Sequence, residues 1–425
     1  MKVFENPARS EWNSLLQRPV AEAAKLEAIV GDILQQVKAR GDEAVKELTL
    51  RFDKAAITEL QVSEAEIREA SASLDEALKT AILTAKANIE TFHRKQITQT
   101  EMVETMPGVH CWRRSVAIEK VGLYIPGGTA PLFSTILMLG VPARLAGCKE
   151  IVLCSPPDKA GKLHPAILFA AEAVGVTKVF KAGGVQAIGA MAYGTESIPQ
   201  VSKIFGPGNQ YVTCAKQLVQ QQGIAIDMPA GPSEVAVYAD ATAHPAFVAA
   251  DLLSQAEHGS DSQVILVVRE KALVEQVQKE LETQLAALPR KDLAAKALDN
   301  SKIFVIDDES TAMELLNEYA AEHLILACDN AGELARQVIN AGSVFLGHYS
   351  PESVGDYASG TNHTLPTNGY AKAYSGVSVD SFVKKITFQQ LTRQGLQMIG
   401  RTVELMAEAE GLEAHANAVR VRTIK

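Results

Sequence analysis

Aromatic side chains are scarce in this chain, since phenylalanine, tryptophan and tyrosine together make up 5% of its 425 residues. So few rings leave little material for a surface on which nucleic-acid bases could stack. Basic residues are also fewer than acidic ones. The formal net charge is −9, whereas a protein that binds phosphate backbones carries a basic face. Both shortages argue against nucleic acid as a partner.

Long apolar runs are also missing. No uninterrupted apolar stretch approaches the roughly 20 residues that a membrane-spanning helix needs, and the stretch from Met1 to Pro7 has no apolar signal segment. The five cysteines are scattered and form no Cys-x-x-Cys pair, which is typical of interior residues in a reducing compartment. We therefore expect no membrane partner, no secretory signal, a cytoplasmic location, and Cys148 and Cys154 as small buried apolar side chains.

The chain does contain regular alternation of buried-strand and helix patterns. Hydrophobic residues make up 47% and charged residues 21%, the profile of a globular protein, and 425 residues exceed what one ordinary core holds. Strands separated by helices predict parallel sheets with helices on their faces, and hence an α/β fold with at least two domains. The predicted strands are 121–125, 149–155, 176–181, 202–205 and 224–227 in a first set, and 233–238, 263–268, 302–306, 323–328 and 343–346 in a second.

Helical periodicity fills most of the remaining sequence. The predicted helices are 136–146, 165–174, 185–193, 211–221, 246–257 and 273–288. Residues 21–95 are expected to be largely helical, and a helical tail is expected over 388–409, after a loop rich in glycine, serine and proline that runs to about residue 381.

Glycine-bearing turns follow several of the predicted strands. They are Pro126-Gly-Gly, Ala182-Gly-Gly, Gly206-Pro-Gly-Asn and Ala230-Gly-Pro-Ser. Ligands of open α/β sheets bind beyond the carboxyl ends of strands, and free amides at helix starts accept phosphate there. Several such turns indicate an anionic cofactor, but neither a Gly-x-Gly-x-x-Gly fingerprint nor a P-loop is present, and each turn taken alone is as well explained by tight chain reversal.

Four separated stretches combine histidine with carboxylate or amide side chains, although the chain has only nine histidines. They are Gln255-Ala-Glu-His258, Glu322-His323, the loop from Asp356 to His363, and Glu410-Gly-Leu-Glu-Ala-His415. Imidazole nitrogen and oxygen ligands together suit a cation such as zinc. Each stretch has an ordinary alternative: a polar pair on one helix face, a helix cap, a solvated corner or a mobile tail residue. Taken together they favour a metalloenzyme.

Five long stretches, in order, resemble the histidinol dehydrogenase family. They are 121–135 (Val-Gly-Leu-Tyr-Ile-Pro-Gly-Gly-Thr-Ala-Pro-Leu-Phe-Ser-Thr), 204–209 (Ile-Phe-Gly-Pro-Gly-Asn), 226–235 (Ile-Asp-Met-Pro-Ala-Gly-Pro-Ser-Glu-Val), 251–259 (Asp-Leu-Leu-Ser-Gln-Ala-Glu-His-Gly) and 355–363 (Gly-Asp-Tyr-Ala-Ser-Gly-Thr-Asn-His). One departure is visible, because the family usually has proline where this chain has Ala321, directly before Glu322 and His323. The missing proline removes a backbone restraint at that point.

The resemblance implies two incomplete Rossmann-like parallel-sheet domains plus small helical terminal domains. By this pattern, 121–232 binds NAD, 21–120 with 233–375 binds zinc and substrate, 1–20 with 376–400 forms a small domain, and the tail 401–425 is exchanged between the subunits of a homodimer. It also implies an NAD-linked four-electron oxidation of L-histidinol to L-histidine through bound L-histidinal, the last step of histidine biosynthesis, with one Zn²⁺ per subunit.

Residue roles follow from the same resemblance. His323 corresponds to the family's general base and Glu322 to the residue that activates water. The implied zinc ligands, which also border the substrate together with His323, are Gln255, His258, Asp356 and His415. The implied substrate contacts are Ser233, Glu352, His363 and Glu410. The implied NAD contacts are Tyr124, Gln186 and Asn209. Two other classes remain open on the residues alone: a zinc hydrolase, and a non-catalytic metal-dependent protein that binds imidazole compounds.

Overall fold

The computed structural model describes residues 1–18, 23–127, 131–176, 178–229 and 231–423. The strands are β1 (Lys2–Glu5), β2 (Met102–Met106), β3 (Val109–Ala117), β4 (Lys120–Tyr124), β5 (Glu150–Ser155), β6 (Lys178–Lys181), β7 (Lys203–Phe205), β8 (Ala225–Ile226), β9 (Glu234–Ala239), β10 (Gln263–Val268), β11 (Lys302–Val305), β12 (His323–Ala327), β13 (Ser343–Leu346) and β14 (Val383–Leu391).

The helices are α1 (Arg9–Leu15), α2 (Ala23–Asp53), α3 (Glu64–Ser73), α4 (Glu76–Arg94), α5 (Phe133–Ala146), α6 (Pro165–Val174), α7 (Gly184–Tyr193), α8 (Gln210–Gln220), α9 (Pro245–Ala256), α10 (Lys271–Ala287), α11 (Lys291–Asp299), α12 (Glu309–Tyr319), α13 (Ala331–Leu334), α14 (Glu352–Tyr357), α15 (Arg393–Ala409) and α16 (Glu413–Thr423). Short 3-10 turns lie at 335–337, 370–372 and 379–382.

Two parallel sheets confirm the predicted α/β class. The first has the order β6-β5-β4-β7-β8 and the second the order β1-β11-β10-β9-β12-β13. Their central strands are mostly apolar after the first residue, as burial on both faces requires. β9 and β10, for example, are buried at every position. Separate apolar clusters cover the two faces of each sheet.

Element ends agree with the predictions where local signals are strong. Helix α6 has Pro165 at its first position and ends at left-handed Gly175, and its bounds match the predicted ones, as do those of β10 and β13. The other predicted strands and helices of the two sheets differ by one to three residues at either end. Parts of several predictions, including those at residues 21, 128, 177 and 230, lie outside the described residues.

A third, antiparallel sheet was not predicted. It has the order β14-β3-β2, and Phe388 lies opposite Trp112 with their rings stacked at 5.4 Å. The predicted helix over 388–409 is therefore wrong for its first residues, since 388–391 belong to β14. Helix α15 begins only after Thr392, whose side chain accepts a hydrogen bond from the Gly395 amide.

The helical region predicted over 21–95 is interrupted. Within α2, Gly41 has φ of 52°, outside the helical range, so this helix is bent there. Residues 54–63 leave the helix, and Ser63 then caps α3 together with Glu66. The predicted loop before residue 381 also contains α14. No helix among the described residues is both long and apolar enough to cross a membrane.

Candidate active site

The predicted catalytic pair lies at the amino ends of strands in the second sheet. His323 is the first residue of β12, and Glu322 directly precedes it. The neighbouring β9 begins at Glu234, directly after Ser233. Ligands of parallel sheets usually bind at the opposite, carboxyl edge. The candidate catalytic residues of this sheet therefore lie at its amino edge and not at the edge where ligands usually bind.

The backbone of Glu234 contacts both members of the pair. Its N–H donates to Glu322 Oε2 at 2.9 Å, and its carbonyl oxygen lies 3.2 Å from His323 Nδ1. A carbonyl oxygen can only accept, so Nδ1 carries the hydrogen. In the neutral ring, that tautomer makes His323 Nε2 the nitrogen that accepts a proton, as a general base requires.

Local backbone geometry brings the pair to this position. Ala320, the residue after α12, has a φ of 54°, so the chain reverses through a left-handed conformation. The amides of Gly342 and Ser343 then donate to the carbonyls of Ala321 and Glu322, at 2.9 Å each. A methyl group at Gly342 would lie 2.5 Å from the Glu322 carbonyl oxygen, so this approach requires glycine.

A compact group of possible metal ligands adjoins the pair. Within the described ranges, His258, Glu352 and Asp356 bring ligand atoms within 4.8 Å of one another. Asp356 was predicted in a loop, but it lies on α14, four residues after Glu352 and hence on the same face. Gln255 is buried, and its side-chain amide is oriented with the nitrogen toward Glu352. That nitrogen lies 2.5 Å from Glu352 Oε1 and 3.2 Å from Oε2.

The catalytic pair and the ligand group form one network. His323 Nε2 lies 3.2 Å from Asp356 Oδ1, and both atoms are buried without a hydrogen-bond partner in the described part of the chain. Buried polar atoms in such a position indicate a missing ligand or ion.

Acidic side chains accumulate in this network. Burial raises the pKa of both Glu322 and Glu352 to about 8. Burial acts to lower the pKa of His323, but Glu322 and Glu352 outweigh it and raise that pKa to about 10. For Asp356, burial acts to raise the pKa, yet the neighbouring imidazoles bring it below its ordinary value. A divalent cation would neutralise this excess of acids, so the donor set of imidazole and carboxylate fits zinc.

His363 links this network to the first sheet. Its Nδ1 lies 2.8 Å from the Asp356 carbonyl oxygen, and its Nε2 lies 3.1 Å from Thr135 Oγ1. Thr135 belongs to the first turn of α5, on the first sheet's side of the molecule. The ring therefore lies where the two halves of the molecule meet.

The predicted NAD contacts lie at the carboxyl edge of the first sheet. Tyr124 ends β4 and its hydroxyl oxygen accepts from the Gly184 amide at 3.1 Å, at the start of α7, which carries the buried Gln186. Burial raises the pKa of Tyr124 to about 12, so this hydroxyl stays protonated. Asn209 caps α8, its Oδ1 accepting from two backbone amides of the first turn.

The chain is similar to known proteins over nearly its whole length. A model of the histidinol dehydrogenase family matches residues 16–423. The chain belongs to the histidinol dehydrogenase family. A histidinol dehydrogenase of Bacteroides fragilis is 62% identical over 422 residues, covering 99% of both chains, and one of Bacteroides thetaiotaomicron is 61% identical over the same length. The crystal structure of histidinol dehydrogenase from Elizabethkingia anophelis superposes with a TM-score of 0.97 at 55% identity, covering 99% of this chain and 98% of that one.

Two site residues implied by the family pattern do not lie in the group of possible metal ligands within a single chain. Glu410 directly follows α15 and His415 is on α16, and both are exposed to solvent. In the described part of one chain, the group of possible metal ligands does not include His415.

Sequence reasoning missed residues that contact the site from far away in the chain. Asp53, at the end of α2, accepts from Gln186 Nε2 at 3.5 Å, and burial raises its pKa to about 6. Glu234 and Thr135 lie inside the family-like stretches, but nothing local in the sequence distinguishes them from their neighbours. A histidinol dehydrogenase pattern alone therefore does not reveal the residues that support the site.

Proposed function

We propose that this protein is an NAD-dependent histidinol dehydrogenase: a zinc-dependent, cytoplasmic, homodimeric oxidoreductase that converts L-histidinol to L-histidine through bound L-histidinal, the last step of histidine biosynthesis. The observation that carries the proposal is the buried Glu322–His323 pair beside the His258, Glu352 and Asp356 group. A chain of this family with that arrangement has both a proton acceptor and a cation-binding donor set in one place.

His323 is the general base of both oxidations. Its Nε2 takes the proton of the alcohol oxygen in the first step and of the hydrated aldehyde in the second. The contact of Nδ1 with the Glu234 carbonyl, at 3.2 Å, keeps Nε2 as the accepting nitrogen through both steps.

Glu322 activates water between the two oxidations. An aldehyde has no hydroxyl proton to lose, so water must first add to the carbonyl carbon and give the gem-diol. Burial brings the pKa of Glu322 to about 8, and a carboxyl group with that pKa takes up and releases a proton readily near neutrality.

The remaining residues bind and orient the reactants. Gln255, His258, Asp356 and His415 would hold the zinc; Ser233, Glu352, His363 and Glu410 would contact the substrate; Tyr124, Gln186 and Asn209 would contact NAD. When bound, NAD would accept hydride from the substrate carbon, and zinc would hold the imidazole and amine of the substrate. In support, the carboxylates and imidazoles suited to a cation lie at one sheet, and the glycine turns at 182–184 and 206–209, suited to an anionic cofactor, follow strands of the other.

Turnover of histidinol with NAD tests the proposal. We expect reduced nicotinamide to form, measured by its absorbance, at about two equivalents per histidinol consumed, with histidine as the product. Chelation of the metal should abolish this turnover while NAD binding, measured by titration calorimetry, stays nearly unchanged. Hydrolysis without nicotinamide reduction would support a zinc hydrolase instead, and binding of histidinol without turnover would support a binding protein.

A further inference from the structure

Glu234 has a second set of contacts that the proposed chemistry does not use. Its side chain is buried, and its Oε1 and Oε2 receive hydrogen bonds from Arg18 Nε at 2.5 Å and Nη2 at 2.9 Å. The amide of Asn368 also donates to Oε1, at 2.8 Å. A bidentate pair of this kind fixes the direction of the carboxylate as well as its distance.

Arg18 also contacts the helix that leads into the catalytic pair. Its Nη2 donates to the carbonyl of Tyr319 at 2.7 Å, and its guanidinium lies 4.1 Å from the centre of the Tyr319 ring. Tyr319 ends α12, three residues before Glu322. Arg18 therefore ties the start of β9 to the segment that leads into Glu322.

The consequence for the site comes through the backbone of Glu234. That single residue donates to Glu322 and accepts from His323, so any movement of β9 at this point changes both contacts. Stability alone does not account for the pair, since a buried ion pair is often no more stabilising than apolar residues of the same size. Proton transfer, in contrast, depends strongly on sub-ångström placement of the base.

We propose that Arg18 and Glu234 form a positioning pair that holds Glu322 and His323 in the geometry for proton transfer, an inference that rests on the proposed function. Neither side chain reaches the reacting atoms. Their effect passes through the Glu234 backbone and through the turn after Tyr319. The amino-terminal segment of the chain thereby becomes part of the catalytic apparatus of the second sheet.

The test compares Arg18→Gln with a matched variant, Arg9→Gln. Arg9 also joins the amino-terminal segment to α12, through Glu314, but this pair is exposed at the surface. We expect Arg18→Gln to lower kcat for both histidinol and histidinal by about 10- to 100-fold, the effect of a misplaced catalytic group. KM for histidinol and the zinc content should change little. Arg9→Gln should retain the parental kcat.

Introducing Arg18→Gln into the His323→Asn variant distinguishes a positioning role from a general loss of structure. If Arg18 acts through His323, adding Arg18→Gln to His323→Asn should cause almost no further loss of kcat, because coupled residues are not additive. The same fold-loss in both backgrounds would overturn the positioning role. An Arg18→Gln enzyme with parental kcat, or one changed only in KM, would also overturn the positioning role. In either case, histidinol oxidation by the parent protein would still support the proposed function.

Arg18→Lys provides the measurement if Arg18→Gln does not fold. Lysine keeps the charge but not the planar, two-pronged geometry, so we expect a smaller loss of kcat, between the values of the parent and Arg18→Gln. Parental kcat in Arg18→Lys, with Arg18→Gln unfolded, would show that charge pairing for stability is sufficient and would overturn the positioning role. A parent protein without histidinol oxidation would remove the proposed function and this inference together.

Discussion

At the scale of single residues, the orientation of one ring decides what the site can do. His323 faces a carbonyl oxygen on one side and the Asp356 carboxylate on the other, with Glu322 Oε2 3.7 Å from its Nδ1. The carbonyl fixes the tautomer and the carboxylates favour the protonated ring. A base that acts twice on one substrate must release its proton between the steps, and a cation held among these carboxylates would weaken their attraction for the proton and make that release easier.

Substitution of the pair should affect the two oxidations differently. His323→Asn removes the proton acceptor, so we expect kcat for histidinol and for histidinal to fall by about 10²–10⁴. Glu322→Gln should slow the conversion of histidinol to histidine, yet spare supplied pre-hydrated histidinal to some degree. Stopped-flow absorbance of reduced nicotinamide with each substrate measures both steps.

His164→Asn is the matched control for that experiment. His164 caps α6, its Nδ1 accepting from the Ala166 amide, and asparagine caps helices equally well. Its kcat should equal that of the parent. A His323→Asn enzyme that oxidised either substrate at close to the parental rate would remove His323 from the mechanism.

The metal-free protein should lose stability as pH rises from about 5 to 8. Burial raises the pKa of Glu322 and Glu352 from 4.5 to about 8, so between these values the folded state binds more protons than the unfolded state. Stability then decreases with increasing pH across that window. Urea unfolding of chelator-treated protein at several pH values measures the slope, and Glu322→Gln with Glu352→Gln should reduce it.

Bound zinc would oppose this electrostatic effect, because a cation favours the ionised carboxylates and lowers their pKa. The loaded protein should therefore show a flatter dependence of its unfolding free energy on pH over the same range. A metal-free protein whose stability rises steadily between pH 5 and 8 would contradict the assignment of these two carboxyls as buried and unneutralised.

At the scale of elements, the turn before β13 determines where the catalytic pair sits. In Gly342→Ala the new methyl group would meet the Glu322 carbonyl oxygen at 2.5 Å, so β12 or β13 must shift. We expect a lower melting temperature together with a loss of kcat of about 10-fold or more, since small displacements of a base are costly. Calorimetric melting and steady-state kinetics measure the two effects.

Gly332→Ala serves as the control because a methyl group there meets no atom within 4 Å. Gly332 lies within α13, where alanine is favoured over glycine by roughly 1 kcal/mol. This variant should keep its kcat and melt at the same temperature or slightly higher. Equal behaviour of the two variants would show that the close approach at Gly342 is not needed for the site.

The sequence predicts those elements whose ends are marked locally. Pro165 and Gly175 bracket α6, and β10 is a continuous apolar run, so both were located correctly. The last residues of β14, 388–391, were predicted as helix because the partner strand β3 lies far away in the sequence and pairing overrides local preference. Gly355 made the region around Asp356 resemble a loop, whereas it is glycine because a methyl group would meet the Phe345 ring at 2.5 Å.

The site shows the same division. The pair Glu322–His323 and the ligand types at 255–258 and 356–363 were visible as motifs. Arg18, Glu234 and Asp53 were not, because only the tertiary fold brings them to the site. A residue whose backbone makes the functional contact, as Glu234 does, leaves no trace in side-chain patterns.

At the scale of the whole molecule, the carboxyl-terminal helices expose apolar side chains together with two implied site residues. Helices α15 and α16 pack against each other, with His415 and Glu410 exposed. Large apolar side chains of this segment are exposed as well: Met398, Leu405, Met406, Leu412 and Val421. An apolar, exposed segment that carries two implied site residues is what a subunit-exchanged tail would present before its partner is added.

Exchange of the tail between subunits, if it occurs, predicts the activity of mixed dimers numerically. His258→Asn and His415→Asn should each be inactive alone, because each removes one implied zinc ligand. If His415 serves the partner's site, a dimer of one chain of each kind has one site with both lesions and one site with neither. Random pairing gives about half mixed dimers, so roughly a quarter of all sites should regain activity after the two variants are unfolded and refolded together.

Different affinity tags on the two chains measure heterodimer formation, and nicotinamide reduction measures recovery. If His415 serves its own chain, every site keeps one lesion. An inactive mixture that contains tagged heterodimers would then refute the shared site while leaving the zinc ligands in place.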